Sequence, residues 1–270
     1  MKRAPAPAKI NLALVVGPIR DDGRHELLTI YQRVALCDHI AVEPAPTVTV
    51  RGFNEDTLVR RTLEAVADGN GNAFAARIRK RIPIAAGLAG GSSDAATALR
   101  LANELRAEPY DEGHLRSLAS ELGADIPYFL ADGPQLGSGD GTELEPIELP
   151  QDYWVLLVLP HNAAKSSTGD VFAEFDARKG ERGFGERRAD VLSALGEIKR
   201  PRDLAALRKN DLAQSPLTGQ LEALGAFRAD VTGAGPTVYG LFLHGAHARG
   251  AQKQISPIGR TWLTAPAWYR

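Results

Sequence analysis

Residues 83–93 read Pro-Ile-Ala-Ala-Gly-Leu-Ala-Gly-Gly-Ser-Ser, and no other stretch of this 270-residue chain restricts its folding as strongly. The run before it, 74–82, interleaves apolar residues with Arg77, Arg79, Lys80 and Arg81, which predicts a strand heavily basic on one face. The run after it, 94–105, is built from good helix formers, with Ser92, Ser93 and Asp94 as candidate caps. A loop between strand and helix can turn its backbone N–H groups inward around phosphates if it tolerates unusual φ/ψ and has no Cβ in the way. Gly87, Gly90 and Gly91 meet that need. The helix start adds the positive end of its dipole, and the two serine hydroxyls can bind a phosphate oxygen or a metal-bound water. The segment is therefore expected to cradle a polyphosphate with Pro83, Ile84, Ala85, Ala86, Gly87, Leu88, Ala89, Gly90, Gly91, Ser92 and Ser93. It lacks the Gly-Lys-Ser/Thr ending of a P-loop and the spacing of the dinucleotide fingerprint. The bland alternative is a glycine-rich turn that merely enters an Ala-rich helix.

Composition limits what else the chain can do. Thirty-two Lys and Arg stand against thirty-three Asp and Glu, a net charge of -1, so nothing draws the molecule as a whole to nucleic acid or to an anionic membrane. Phosphate binding has to be local. The single Cys37 cannot form an intramolecular disulfide and is read as a small apolar strand residue, which fits a reducing cytoplasm. The N-terminus begins with basic residues, but Lys9 and Asn11 interrupt the apolar run that a signal peptide needs. No stretch approaches the roughly 18 apolar residues of a membrane helix. The paired His244 and His247 lack a visible third ligand and read as surface residues, so no metal-ligating residue is named.

Coarse elements follow from periodicity and breakers. Strands are expected at 10–16, closed by Gly17-Pro18, at 27–36, around Val42 and 48–50, and at 153–159 up to Pro160. Helices are expected at 57–67, 111–122, 191–195, 204–212 and 217–224. Turns fall at 21–23, 68–72 and 137–141, and 231–242 reads as strand, tight turn, strand. The charged, glycine-bearing 176–188 reads as a mobile surface loop. A domain boundary is placed near Pro150.

Motifs along the whole chain carry a family resemblance. Pro7-Ala8-Lys9-Ile10-Asn11-Leu12, Asp22-Gly23-Arg24-His25-Glu26-Leu27, the loop at 83–96 and Leu122-Gly123-Ala124-Asp125-Ile126-Pro127-Tyr128-Phe129 resemble, in that order, the motifs of the GHMP kinases. Ser167-Thr168-Gly169-Asp170-Val171-Phe172, Asn210-Asp211-Leu212 and Thr232-Gly233-Ala234-Gly235 are similar to its C-terminal landmarks. The resemblance implies an α+β, two-domain GHMP kinase fold. Residues 1–150 would be a ribosomal S5 domain 2-like, ATP-binding domain, and 151–270 a ferredoxin-like domain. It also implies ATP and Mg2+ as cofactors, and transfer of the γ-phosphate to the C2 hydroxyl of a cytidine-diphosphate-linked methylerythritol. The expected protein is a cytoplasmic monomer or weak homodimer with a small-molecule substrate, without nucleic acid or membrane partners.

An alcohol is a poor nucleophile, so a carboxylate that takes its proton and a cation beside the transferring phosphoryl form a minimal apparatus. The resemblance assigns these roles to Asp125 and Lys9; spacing alone would make them a helix-cap or turn aspartate and a solvated lysine. By the same resemblance Asn11 is a substrate-side amide, His25 meets a cytosine edge, Thr168 adds a polar contact and Phe172 stacks on cytosine. Each has an ordinary alternative as a strand-end polar or core aromatic residue. Arg24 stands where the family usually has Tyr; its guanidinium can stack on a base or reach the diphosphate. Thr57-Leu58 stands where the family tends to carry Asn-Leu near the adenine. The competing functions are another GHMP kinase, for homoserine or mevalonate, and a non-catalytic S5-like nucleotide- or nucleic-acid-binding module. Near-neutral charge and the presence of both Lys9 and Asp125 argue against the last.

Overall fold

A computed structural model describes residues 1–67, 73–163 and 167–267, so the turn expected at 68–72 lies outside the described residues. The chain sorts into two compact units. The first comprises Met1–Ala8, Leu36–Ile84 and Ala89–Asp132, the second Lys9–Ala35, Ala85–Leu88 and Gly133–Arg270. Two long paired strands, β1 (Lys2–Ile19) and β2 (His25–Ala45), each contribute residues to both. Gly17-Pro18 does not close β1 as expected, because a proline near a strand end gives up only a terminal N–H.

In the first unit, β4 (Ala73–Arg79) pairs antiparallel with β2 and parallel with β3 (Thr49–Arg51). Alternation sends Phe74, Ala76 and Ile78 of β4 and Ile40 and Val42 of β2 into the core, and Arg77 and Arg79 away from it. Over the inner face lie α1 (Leu58–Val66), α2 (Gly90–Asn103), α3 (Glu112–Leu122) and the short α4 (Ile126–Leu130). In α1, Val59, Leu63 and Val66 are fully buried at helical spacing, and the Asp56 carboxylate accepts the N–H groups of Val59 and Arg60 at 3.2 and 3.1 Å. Asp111 caps α3 by accepting from His114 N at 2.8 Å. Burying a leucine such as Leu63 or Leu99 contributes about 1.5–3 kcal/mol each.

The second unit holds a hairpin, β5 (Gln135–Ser138) with β6 (Glu143–Pro146), joined to β2 by the pairing of Thr29 with Gly137. The turn expected at 137–141 is thus displaced, since Gly137 and Ser138 belong to β5. The strands β7 (Trp154–Pro160), β8 (Arg228–Val231), β9 (Val238–Phe242) and β10 (Gly259–Thr264) form an antiparallel sheet in the order β10-β7-β9-β8. Helices α5 (Thr168–Ala177), α6 (Phe184–Glu197) and α7 (Leu217–Ala223) lie between β7 and β8, and α8 (Gly245–Ile255) between β9 and β10. This is the expected ferredoxin-like β-α-β-β-α-β order. Buried Arg228 ties the sheet to its surroundings, donating to Leu12 O at 2.7 Å, Arg208 O at 2.9 Å and Asp230 at 3.1 Å.

The segment 176–188 is not the mobile loop its charge suggests; it closes α5, turns and opens α6. Arg187 pins it, donating to Asp211 Oδ2 at 2.9 Å, to Val16 O at 2.9 Å and to Gly180 O at 2.8 Å. The helix expected at 204–212 is only a 3-10 turn over Pro201–Ala206. Beyond it the Asn210 side chain captures backbone groups of its own segment, accepting from Leu212 N at 2.7 Å. No described helix is long and apolar enough to cross a membrane.

Candidate active site

Alternation along β1 puts Lys9 and Asn11 on one side of the strand, both buried, and Lys9 Nζ donates to Asn11 Oδ1 at 2.8 Å. The ammonium also lies 5.2 Å over the ring of Tyr31. Asn11 uses both ends of its amide. Its Oδ1 also accepts from Gly233 N at 3.0 Å and Thr232 Oγ1 at 3.3 Å, and its Nδ2 donates to Thr29 Oγ1 at 2.7 Å. The glycine turn at 232–235 is thereby pulled onto β1. Asn210 holds the same turn from behind, donating to Gly233 O at 2.7 Å and Val231 O at 3.0 Å.

Gly87 meets this turn at a distance no other residue allows. Its φ is +75°, and a Cβ there would stand 2.4 Å from Thr232 O and 2.9 Å from Gly235 O. Ala85 and Ala89 have φ of +52° and +51°, a conformation L residues avoid, so the loop is strained on both sides of Gly87.

In the first unit, α2 begins at Gly90, earlier than expected. None of Ser92, Ser93 and Asp94 caps it; the N-cap is Ala89, with no side-chain hydrogen bond to the open N–H groups. Ser93 Oγ and Asp94 Oδ1, in this first turn, are buried without a hydrogen-bond partner. An uncapped helix start and an unpartnered hydroxyl form a donor set suited to phosphate, and to Mg2+, which takes few protein ligands and completes its shell with water and phosphate oxygens.

Beside it lies a cluster the sequence did not reveal. Lys80 Nζ bridges Asp38 Oδ2 at 2.5 Å and Asp94 Oδ2 at 2.8 Å, while Asp38 Oδ1 accepts the N–H groups of Arg81 and, at 2.8 Å, Ile82. Burial, then the Asp38 charge, push the Asp94 carboxyl up to about 8 against the pull of Lys80. Only the proximity of Lys80 and Asp94 to the loop hinted at this; Asp38 comes from a distant strand. Asp125, in the same unit, is half-buried at the N-cap of α4 and makes no capping bond there, so the plain cap reading does not hold for it.

His25 and Phe172 come together in the second unit, their rings stacked at 4.9 Å and 23°. Phe175 meets His25 edge-on at 5.8 Å. His25 Nδ1 donates to Gly17 O at 2.8 Å, which turns Nε2 toward Asp176 Oδ1 at 3.4 Å. Phe175 and Asp176 sit on α5, in the segment read as a loop. Thr168 is exposed in the first turn of that helix, beside the capping box of Ser167 and Asp170. Arg24 is exposed and stacks on no ring among the described residues; its guanidinium binds the Asp140 carboxylate, which burial would raise but which the bonds from Thr142 and Arg24 hold below the usual range. His244 and His247 lie edge-on at 5.4 Å, and no group of three His, Cys, Asp or Glu converges among the described residues.

Residues 57–133 match the family model described as the GHMP kinases N terminal domain. The fold and the loop therefore define the class as GHMP kinase-like. A mevalonate kinase from Methanococcus jannaschii shares this fold at 14% identity and TM-score 0.75, over 98% of each chain. Nearer relatives narrow the class. The 4-diphosphocytidyl-2-C-methyl-D-erythritol kinase of Anaeromyxobacter dehalogenans is 38% identical, over 93% of this chain and 83% of the relative. That of Mycolicibacterium smegmatis is 34% identical, over 94% and 85%. A crystal structure of 4-(cytidine 5'-diphospho)-2C-methyl-D-erythritol kinase superposes with TM-score 0.79 at 29% identity, covering 98% of this chain and 99% of that one. The chain belongs to the 4-diphosphocytidyl-2-C-methyl-D-erythritol kinase family.

Proposed function

We propose that this chain transfers the γ-phosphate of ATP to the C2 hydroxyl of 4-diphosphocytidyl-2-C-methyl-D-erythritol, in the non-mevalonate route to isoprenoid precursors. The observation that carries the reading is the strained loop ending in an uncapped α2, with the Ser93 hydroxyl unpartnered at its first turn. That arrangement suits a polyphosphate without a P-loop lysine. Residues 83–93 hold the phosphates, and Ser92 and Ser93 provide oxygens for Mg2+. When bound, the metal neutralises charge on the β- and γ-phosphates.

Asp125 takes the proton of the attacking hydroxyl. Lys9, buried and oriented by Asn11, offers its ammonium to the transferring phosphoryl or to the hydroxyl it orients. Asn11 acts on the substrate side chiefly through Lys9, since its own amide is engaged within the protein. His25 presents Nε2 to a cytosine edge in exchange for Asp176, and Phe172 lends the ring face not covered by His25. Thr168 adds a contact from the start of α5, and Arg24, released from Asp140, reaches the diphosphate. The two family halves divide near Pro150, a reading supported by its place between the end of β6 and the start of β7. Asp125→Asn is expected to lower turnover by at least about a hundredfold while ATP affinity, read by calorimetry, stays within about twofold. Near-normal turnover would refute the base assignment.

A further inference from the structure

The basic face of the strand that leads into the loop takes no part in this chemistry. Three strands of the first unit set its residues side by side. Arg77 of β4 pairs with Arg51 of β3 on one side and with Ala41 of β2 on the other, and Arg79 pairs with His39. The intervening residues Phe74, Ala76 and Ile78 face the core, so these side chains share the opposite, solvent-facing surface. They line a concavity of about 750 Å3, whose floor is kept low by Ala41 and Ala75 and which Arg3 of β1 also lines.

Like charges paired directly across a sheet destabilise it unless something neutralises them. Among the described residues nothing does: Arg51, Arg77 and Arg79 have no hydrogen-bond or ion-pair partner there. The lining offers one carboxylate, Glu43, which sits opposite Ala75 rather than opposite an arginine. A chain with one acid more than it has Lys and Arg has carboxylates to spare, yet none pairs across the sheet with Arg51, Arg77 or Arg79 among the described residues. Guanidinium groups bind phosphate oxygens through paired N–H donors. Strands about 4.8 Å apart and residues about 6.8 Å apart along a strand put these groups within reach of linked phosphoryl units. No Phe, Tyr or Trp lines the concavity, whose one ring is His39, so successive bases have no run of stacking platforms, and its volume is that of a small-molecule site.

We propose that this face binds a small oligophosphate anion, of two or three linked phosphoryl groups, through Arg51, Arg77 and Arg79. The inference does not rest on the kinase assignment.

Calorimetric titration of the full chain with inorganic tripolyphosphate tests it. Binding is expected to weaken at least about tenfold in an Arg77→Ser/Arg79→Ser variant, with turnover and the KM for ATP unchanged. Arg51→Ser alone is expected to weaken it about threefold or more, which keeps the proposal testable should the double variant not fold. Absent binding, or equal affinity in all three proteins, would overturn it. A raised KM for ATP in the double variant would make this face part of the nucleotide site and overturn it as a separate one. Two further ligands discriminate the chemistry. A thymidine oligonucleotide that outcompetes tripolyphosphate on this face, or guanosine triphosphate bound more than about tenfold tighter, would overturn recognition of phosphates alone.

Discussion

Asn11 shows how one side chain can set a site it need not touch. It fixes the buried ammonium of Lys9 and the N–H of Gly233 with one oxygen, and it anchors on Thr29 with its nitrogen. The motif Lys-Ile-Asn is legible in the sequence, but its partners come from residues 29 and 232–233, which local pattern does not connect. Asp94 makes the same point with a measurable consequence. Its carboxyl ionises near 3.8 in the unfolded chain and at about 8 in the fold, chiefly through burial. Between those values the folded chain keeps a proton that the unfolded chain releases, so this group's contribution to stability falls as pH rises and levels off above about 8. The urea midpoint of the wild type is expected to drop more between pH 6 and pH 8.5 than that of Asp94→Asn, which has no proton to lose. Equal drops would contradict the account.

Elements that the sequence predicts correctly are those whose signals are local. Helix α3 has its Asp111 cap and its Gly123 stop, and α1 has its apolar spacing. The start of α2 departs from its local signal because the serines that look like caps are displaced by a loop bent through Ala89 and Gly87. That bend is set by contact with residues 232–235, far away in the chain. Gly87→Ala is therefore expected to lower ATP affinity at least about tenfold by forcing the two glycine turns apart; affinity within about twofold of wild type would mean the close approach is dispensable. Segment 176–188 departs from its local signal for a related reason. Its charges suggest solvent, but Arg187 uses its own to bind Asp211 and two backbone carbonyls. Arg187→Met is expected to cost about 2–3 kcal/mol in chemical denaturation and to speed hydrogen exchange in α6. Unchanged exchange there would place the anchor elsewhere.

At the scale of the molecule, the α+β class and the ferredoxin-like order of β7, β8, β9 and β10 agree with what the motifs implied. The compact units do not follow the order of the chain, because β1 and β2 are long enough to serve both; strand length is not written in local pattern. Substrate choice is the central claim, and it belongs to the whole molecule, since the GHMP kinase match covers residues 57–133 alone while the similarity to the cytidyl kinase relatives runs over 93% of the chain. A coupled ADP-release assay with Mg-ATP, offering 4-diphosphocytidyl-2-C-methyl-D-erythritol, homoserine and mevalonate in turn, tests it most directly. The account predicts turnover of the cytidyl substrate with a kcat/KM at least about a hundredfold above the other two. Phosphorylation of homoserine or mevalonate with no ADP released from the cytidyl substrate would contradict it.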